Sequence, residues 1–410
     1  MQLTTEQITQ FSDILEEFGK TLDITKEQHE QALKSYEFVA NHLASVNSPL
    51  HRYNPEIIPQ GSFMLGTMVK PLQKDELDVD LVCRLEGKNL DWTQKDLKMV
   101  VGDRLKDHGT IKNLLETPDG RRCWTLQYAD SAKFHMDILP AIVSTDYKTI
   151  LAKAFSARQM ENPDSLAIRI TDREMDCYDS SNHPEDWLKS NPFGYGIWFE
   201  QQATIGFTKA VMMSESVQPL PKYHEKKHPL QRVVQILKRH RDMIFNGDDD
   251  KPISISITTL AARAYRKETD ILQALVNIID QMPNEIEEKY SEEHGRSIKW
   301  IANPVNDEEN FADKWPDTPR KQDNFYKWMA KVREDVHAAM SNTNKGLPAV
   351  VESLRDSFGE KDFNDAFNNY GVNQRLLRES GKMKMAATTG TVGLIGRTTI
   401  AQHQNFGIDE

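Results

Sequence analysis

Two aspartates separated by one residue, Asp78 and Asp80, lie within the apolar run LDVDLVCRL. Because successive side chains of a β-strand point to opposite faces, both carboxylates would project from one face, with their Cα atoms about 6.6 Å apart. Strands are depleted in aspartate, and two like charges on one face require a compensating cation. The pair therefore predicts a divalent-cation site, with magnesium as the first candidate because it favours carboxylate and phosphate oxygens.

A third carboxylate, Asp137, lies in KFHMDILPAI, a second run with the pattern of a strand. If the two strands are neighbours, three carboxylates could hold two metal ions about 4 Å apart, one activating an attacking hydroxyl and one bridging a triphosphate. That arrangement is typical of nucleotidyl transfer. His135 shares the strand face of Asp137 and is predicted only to pack beside the site. An isolated Asp-x-Asp is more often a turn or a solvated strand edge, so the interpretation depends on the surrounding motifs.

Gly61 and Ser62 lie in IPQGSFMLGT, and Ser62 is sixteen residues ahead of Asp78. A glycine-permitted turn after a strand exposes backbone N–H groups and a hydroxyl to a phosphate. The order of strand, Gly-Ser turn, strand with Asp-x-Asp and later strand with a lone aspartate resembles the polymerase-β-type nucleotidyltransferase superfamily.

The elements around these motifs predict an α+β fold in four parts. Residues 1–48 have helical spacing and 49–225 contain the strand patterns of a catalytic lobe, in which a mixed segment from about 144 to 226 connects the lobes. Within the catalytic lobe, a helix is predicted near 92–108 and strands near 111–116, 121–128 and 133–143. Residues 226–381 are predicted as a helical lobe, and 382–410, rich in glycine and threonine, as a flexible tail.

The composition indicates a folded cytoplasmic enzyme. The chain has 410 residues, with 51 Lys plus Arg against 62 Asp plus Glu, so its net charge of −11 gives no sign of a nucleic-acid binder. A local basic run at 222–241 leaves two interpretations open, attraction of polyphosphate or an activating nucleic acid, and a solvated helix face. Three cysteines without CxxC spacing argue against a disulfide framework or structural zinc. The polar, acidic N-terminus and the lack of a run of about 20 apolar residues predict neither signal peptide nor membrane association.

Several further segments resemble the bacterial CD-NTases, the cGAS/DncV-like nucleotidyltransferases that make cyclic oligonucleotide second messengers in anti-phage defence (CBASS). Beside QGSFMLGT and LDVDLVCRL, these segments are LQRVVQILKRHRD, ISISITTLAARAY and ANPVNDEENFADKW. The resemblance implies a polymerase-β-like nucleotidyltransferase core sheet, a C-terminal helical domain, a long N-terminal helix that braces both lobes, and an active site in the cleft between them.

The resemblance also assigns eight residues to that site. The catalytic, metal-binding carboxylates are Asp78, Asp80 and Asp137. The nucleotide-binding residues are Gln60, Gly61, Ser62, Lys238 and Ser254. Two Mg²⁺ ions are implied, with Mn²⁺ as an alternative. From the residues alone, Lys238 is equally interpreted as a solvated lysine, and Ser254 as an N-cap.

The implied reaction joins nucleoside triphosphates, chiefly ATP, through 3'-5' or 2'-5' bonds with release of pyrophosphate. The expected product is an adenine-rich cyclic di- or trinucleotide. Two alternatives stay open: a linear oligonucleotide or nucleotide-adding transferase of the same superfamily, and a catalytically silent nucleotide-binding scaffold. Implied protein partners are a HORMA-type regulator and a ubiquitin-transfer-like enzyme that acts on the tail.

Overall fold

The structure is a computed structural model, and it describes residues 3–72, 76–128, 134–143, 168–205, 223, 226–385, 392–393 and 398–399. Much of the predicted connection at 144–226 and of the predicted tail at 382–410 therefore lies outside the described residues. The division into four parts stays a prediction. None of the helices in the described ranges is long and apolar enough to cross a membrane.

Two helices, α1 (Thr5–Thr21) and α2 (Lys26–Ala44), form the N-terminal part. Each begins with a capping box, in which the N-cap threonine and a glutamine three residues later satisfy each other's backbone N–H groups. The second box, at Thr25 and Gln28, marks the start of a new helix, so residues 5–44 do not form one continuous helix. The single long bracing helix is therefore two helices, and each packs into a different hydrophobic core.

A six-stranded mixed sheet forms the centre of the first lobe. Its strands are β1 (Glu56–Pro59), β2 (Leu77–Leu85), β3 (Trp124–Tyr128), β4 (Phe134–Val143), β5 (Ile168–Ile170) and β6 (Leu188–Ser190). The strand order is β1-β2-β4-β5-β6, with β3 also paired to β4. β2 and β4 are parallel, and the other pairs are antiparallel.

The helices in this part of the chain are α3 (Gly61–Leu65), α4 (Gln94–Lys106), α5 (Gly109–Leu114) and α6 (Pro192–Ala203). Tyr195, Trp198 and Phe199 of α6 are buried in the core of the helical lobe. The predicted helix near 92–108 is confirmed as α4. The predicted strand near 111–116 is wrong, because α5 occupies most of it. Ile111, Leu114 and Leu115 fit the i, i+3, i+4 spacing of a helix, and Ile111 is fully buried in the sheet core.

The two faces of the sheet have different surroundings. On one face, Leu77, Val79 and Leu81 of β2 pack with residues of α2, α4 and α5 in a large core. The opposite face carries the aspartates near one end. Its other end is a small apolar cluster that includes Val82, Leu139 and Phe193. One face therefore stabilises the sheet and the other is available for chemistry.

The second lobe is mainly helical. Its helices are α7 (Pro229–Phe245), α8 (Ser254–Ala264), α9 (Ile271–Gln281), α10 (Pro319–Ser341), α11 (Leu347–Phe358) and α12 (Glu360–Glu379). It also contains hairpins that the sequence did not predict, formed by β7 (Glu287–Ser291) with β8 (Arg296–Trp300), and β9 (Ala302–Asn303) with β10 (Asn306–Asn310).

The helix α1 belongs to the core of this helical lobe, where it packs along α12 and also contacts α9 and α7. Phe18 of α1 is fully buried, with its ring centroid 4.2 Å from that of Phe363 and 6.1 Å from that of Phe358. Beyond α12, the short strand β11 (Lys384–Met385) pairs with β12 (Val392–Gly393) and with β13 (Thr398–Thr399). The flexibility predicted for 382–410 stays a prediction.

Candidate active site

The register of β2 and β4 brings the three predicted carboxylates together. In this parallel pair, Asp80 lies opposite Asp137, and Asp78 lies opposite His135. Neighbouring strands are about 4.8 Å apart, and residues opposite each other in register share a face. Asp78, Asp80 and Asp137 therefore project from the same face of two adjacent strands.

Asp80 lies at the centre of this group. Burial, together with the negative charges of Asp78 and Asp137, raises the pKa of the Asp80 carboxyl to about 7. A carboxyl group so placed gains stability either from a proton or from a cation that offsets its neighbours. The electrostatics therefore favour a positively charged ligand at this point.

Asp137 has a partner that no sequence motif marked. Thr125 of β3 lies opposite Asp137, and its Oγ1 donates a hydrogen bond to Asp137 Oδ1 at 2.5 Å. This bond fixes one carboxylate oxygen and leaves the other for a ligand. Thr125 lies in an ordinary strand sequence, so only the register of β3 against β4 reveals it.

His135 does more than pack beside the site. Its Nε2 forms an ion pair with Asp78 Oδ1, and its Nδ1 lies 3.6 Å from Glu76 Oε2. The bond to Asp78 outweighs the effect of burial and raises the pKa of His135 to about 9. The imidazolium therefore supplies positive charge beside Asp78 at neutral pH.

The Gly-Ser turn lies directly against Asp80. The backbone N–H of Gln60 donates to the backbone oxygen of Asp80 at 2.8 Å. Gly61 has a φ of +62°, and a Cβ at this position would lie 2.2 Å from Asp80 Oδ2. Both the conformation and the space require glycine. Ser62 follows as the second residue of α3, and its backbone oxygen accepts from Thr67 N–H at 3.0 Å.

Lys238 reaches the same region from α7. The side chain is buried, with 5% of the residue exposed, and Nζ donates to the backbone oxygen of Thr67 at 3.1 Å. Burial lowers the pKa of Lys238 to about 7, and Arg241 adds to the effect, whereas Asp80 opposes it. The interpretation of Lys238 as a solvated lysine is therefore wrong. Its role as a phosphate contact stays a prediction.

Most of the basic run also faces inward. Arg232 and Arg239 are fully buried, and they pair with Asp23 and Asp362, respectively. In the part of this run that the structure describes, from residue 226 onward, these arginines do not offer a basic surface to nucleic acid. The interpretation as a solvated helix face is wrong for them as well.

Ser254 lies at the first residue of α8, after the N-cap residue Ile253. The interpretation as an N-cap is therefore wrong. Its Oγ accepts a hydrogen bond from Arg241 Nη1 at 2.9 Å, one helical turn beyond Lys238. The structure thus connects Ser254 to the helix of Lys238, and a direct contact with phosphate stays a prediction.

The donor chemistry of the three carboxylates fits a hard divalent cation. They supply only oxygen ligands, and burial together with the charges of Asp78 and Asp137 raises the pKa of the Asp80 carboxyl, which a bound cation would oppose. Within the described ranges, no three side chains converge as they stand on a point that could hold a metal ion. Asp78 is paired with His135 in this structure.

A mixed sheet with a Gly-Ser turn against paired carboxylates, joined to a helical lobe, defines a nucleotidyltransferase. Residues 55–140 match the family model described as "Cyclic GMP-AMP synthase DncV-like, nucleotidyltransferase domain". A c-di-GMP synthase of Roseivirga ehrenbergii is 28% identical over 367 residues, which cover 88% of each chain. Residues 55–140 thus match a DncV-like nucleotidyltransferase domain, and over most of its length the chain is similar to cyclic dinucleotide synthases.

Two other proteins are similar to this chain. The cyclic dinucleotide synthase CdnG of Bradyrhizobium diazoefficiens is 23% identical over 388 residues, 89% of this chain and 84% of CdnG. Its structure in complex with GTP superposes with a TM-score of 0.63 at 18% identity, covering 88% of this chain and 99% of CdnG. A complex of E. coli MS115-1 CdnC with HORMA has a TM-score of 0.53 at 14% identity, covering 82% and 93%. The structural likenesses show the shared fold.

Proposed function

We propose that this protein joins two nucleoside triphosphates into a cyclic dinucleotide, with Asp78, Asp80 and Asp137 as its catalytic carboxylates. The observation that carries the proposal is the register of Asp80 opposite Asp137, with Gly61 against Asp80. The names of the two relatives, both of them cyclic dinucleotide synthases that align over most of the chain, support the same activity.

In each step, a ribose hydroxyl of one nucleotide attacks the α-phosphorus of the other, an O–P bond forms, and the bond to pyrophosphate breaks. The Gly61–Ser62 turn positions the triphosphate between Asp80 and Lys238. Asp137, fixed by Thr125, accepts the proton of the attacking hydroxyl. Two magnesium ions held by the three carboxylates would supply charge neutralisation and activation of that hydroxyl. Repetition on the linear intermediate closes the ring.

The bases of the product are a separate part of the proposal. An adenine-rich product was predicted from the resemblance. The names of the relatives give guanine instead, since one is a c-di-GMP synthase and the other was solved with GTP. We therefore propose that GTP is a substrate, with ATP as the alternative. A role in anti-phage defence rests on the resemblance alone.

The test is incubation of the purified protein with magnesium and each α-³²P-labelled nucleoside triphosphate, then phosphatase treatment and chromatography. Asp80→Asn is the inactive variant. Asp307→Asn, a change at an exposed aspartate of β10, is the matched control. A phosphatase-resistant product from the wild type and the control, but not from Asp80→Asn, supports the proposal and identifies the bases.

Two other outcomes would contradict it. A phosphatase-sensitive product would indicate the linear transferase. Triphosphate binding without product, even in the presence of candidate regulators, would indicate the silent scaffold. A HORMA-type regulator is the first addition to try, because the structurally similar CdnC forms a complex with HORMA. The predicted ubiquitin-transfer-like partner would act on the tail, which lies mostly outside the described residues.

A further inference from the structure

A row of four side chains on α7, here called the α7 stripe, faces the loop of residues 65–70 that follows the Gly-Ser turn. Each member donates a hydrogen bond to a different backbone oxygen of this loop. The bonds are Gln231 to Leu65 (3.0 Å), Gln235 to Met68 (2.6 Å), Lys238 to Thr67 (3.1 Å) and Arg239 to Lys70 (2.7 Å). The spacing of four, three and one residues places all four on one side of the helix.

The loop depends on these bonds for its conformation. Residues 66–72 belong to no helix or strand, and Leu65 is the last residue of α3, so no regular element supplies hydrogen-bond partners for these backbone oxygens. Each oxygen left unpaired away from water would cost about 1–3 kcal/mol. The α7 stripe therefore helps to fix where the loop lies, together with the bond from Lys70 N–H to the backbone oxygen of Leu22.

Gln235 is the most constrained member of the stripe. It is fully buried, and its Nε2 donates both to the Met68 backbone oxygen at 2.6 Å and to Asp23 Oδ1 at 2.8 Å. Its Oε1 accepts from Arg232 Nη1 at 3.0 Å. The two acceptor oxygens require a donor, and the guanidinium requires an acceptor. The carboxamide of glutamine offers both, an amide N–H₂ and a carbonyl oxygen, at this side-chain length.

The loop connects the stripe to the nucleotide-binding turn. Thr67, next to Met68, donates its N–H to the backbone oxygen of Ser62 at 3.0 Å and accepts from Lys238 through its own backbone oxygen. A shift of Met68 would therefore change the distance between the Gly61–Ser62 turn and the Lys238 ammonium.

From these contacts we infer that Gln235 is a positioning residue for the triphosphate: its carboxamide holds loop 65–70 so that the Gly-Ser turn and Lys238 meet the phosphates together. Gln235 acts through the loop and does not touch the nucleotide. The inference rests on the proposed function, since it concerns the same site.

The test compares Gln235→Met, which keeps the side-chain length and removes the amide, with Asn324→Leu as a matched control. Asn324 is a buried amide of α10 that donates to the backbone oxygen of Asp250 at 3.1 Å, away from the loop. The measurements are affinity for nonhydrolysable ATP and GTP analogues with magnesium, kcat and KM, melting temperature, and amide hydrogen exchange of Thr67.

For Gln235→Met we expect about tenfold weaker analogue binding, a matching rise in KM, and faster exchange at Thr67, because small displacements of binding groups are costly. For Asn324→Leu we expect a similar drop in melting temperature with unchanged affinity. If Gln235→Met binds the analogues as tightly as the wild type, the inference is overturned and Gln235 is only structural.

Two provisions keep the result decisive. If Gln235→Met does not fold, Gln231→Met removes the bond to Leu65 and the capping bond to His228 N–H from a partly exposed position, and a threefold or larger loss of affinity with faster exchange at Thr67 is then expected. If the wild type makes no product, the proposed function fails, yet analogue affinity and Thr67 exchange still decide whether the stripe positions the turn.

Discussion

At the scale of single residues, Gly61 gives the sharpest prediction. Gly61→Ala places a Cβ 2.2 Å from Asp80 Oδ2 at a φ of +62°, so the turn or the carboxylate must move. We expect turnover to fall at least about a hundredfold, since a displacement of about 1 Å costs that much. The measurements are the rate of product formation and the melting temperature.

Gly247→Ala is the control for this change, because Gly247 has a φ of +88° with open space around its Cβ position. It should lose stability through the backbone conformation, by roughly 1 kcal/mol, and keep full activity. Equal turnover in Gly61→Ala and the control would contradict the placement of the turn against Asp80.

Replacement of the Asp80 carboxylate is expected to increase stability and abolish activity. Without metal at pH 7.5, Asp80→Asn should stabilise the protein by on the order of 1 kcal/mol, because a neutral amide avoids the burial and repulsion that raise the pKa of Asp80 to about 7. Magnesium should raise the melting temperature of the wild type and not of the variant. A lower melting temperature for Asp80→Asn in EDTA would show that the carboxylates are not in mutual repulsion.

The placement of the three aspartates on strands could be predicted because each is a charged residue within an apolar run. Thr125 and His135 could not be assigned their contacts in the same way. Their partners depend on the register of β3, β4 and β2, and register is a property of paired strands that no single segment contains.

At the scale of elements, two glycines on helices predict opposite effects of the same substitution. A Cβ on Gly102 of α4 would lie 2.1 Å from the ring of Trp124, whose Nε1 is fixed by a hydrogen bond to the Lys98 backbone oxygen at 2.8 Å. Gly102→Ala should therefore destabilise the protein by about 1–3 kcal/mol through overpacking. Denaturant unfolding measures the change.

Gly371 of α12 has no neighbour within 4 Å of its Cβ position. Gly371→Ala should stabilise by up to about 1 kcal/mol, because alanine is the better helix former. A stabilised Gly102→Ala would show that α4 does not pack against Trp124 as described.

Helices with a long apolar stripe could be predicted from the sequence, because apolar residues recur at helical spacing, and α4 is an example. The hairpin of β7 and β8 was not, because residues on both of its faces are exposed or only partly buried and no apolar alternation marks it. The apolar pattern at 111–116 is short and fits either a strand or a helix. In the structure it forms α5, which buries Ile111 against the sheet.

At the scale of the whole molecule, the first and last long helices are packed together. Phe18→Ala removes a fully buried ring that lies between α1 and the α11–α12 corner, and about 3–5 kcal/mol of stability should be lost. Phe38→Ala, at a side chain of α2 that is 42% exposed, is the control and should cost less than about 1 kcal/mol. Equal effects in urea unfolding would contradict the pairing of α1 with α12.

The N-terminal region shows how far sequence reasoning extends at this scale. Its helical character was legible from spacing, and the capping box at Thr25 and Gln28 was the local signal for the break into two helices. That α1 joins the helical core and α2 the sheet core could not be predicted, since both have ordinary amphipathic stripes.

The pairing of α1 with α12 also affects the order in which contacts can form during translation. The segment of α1 is synthesised well before Phe363 and the rest of α12. The packing of α1 against α12 can therefore form only after α12 has been made. Lys70 of loop 65–70 donates its N–H to the backbone oxygen of Leu22 at the end of α1 at 2.7 Å, so the position of this loop depends on that of α1. A chain that lacks α12 should therefore leave both α1 and the loop bonded to it without their final contacts.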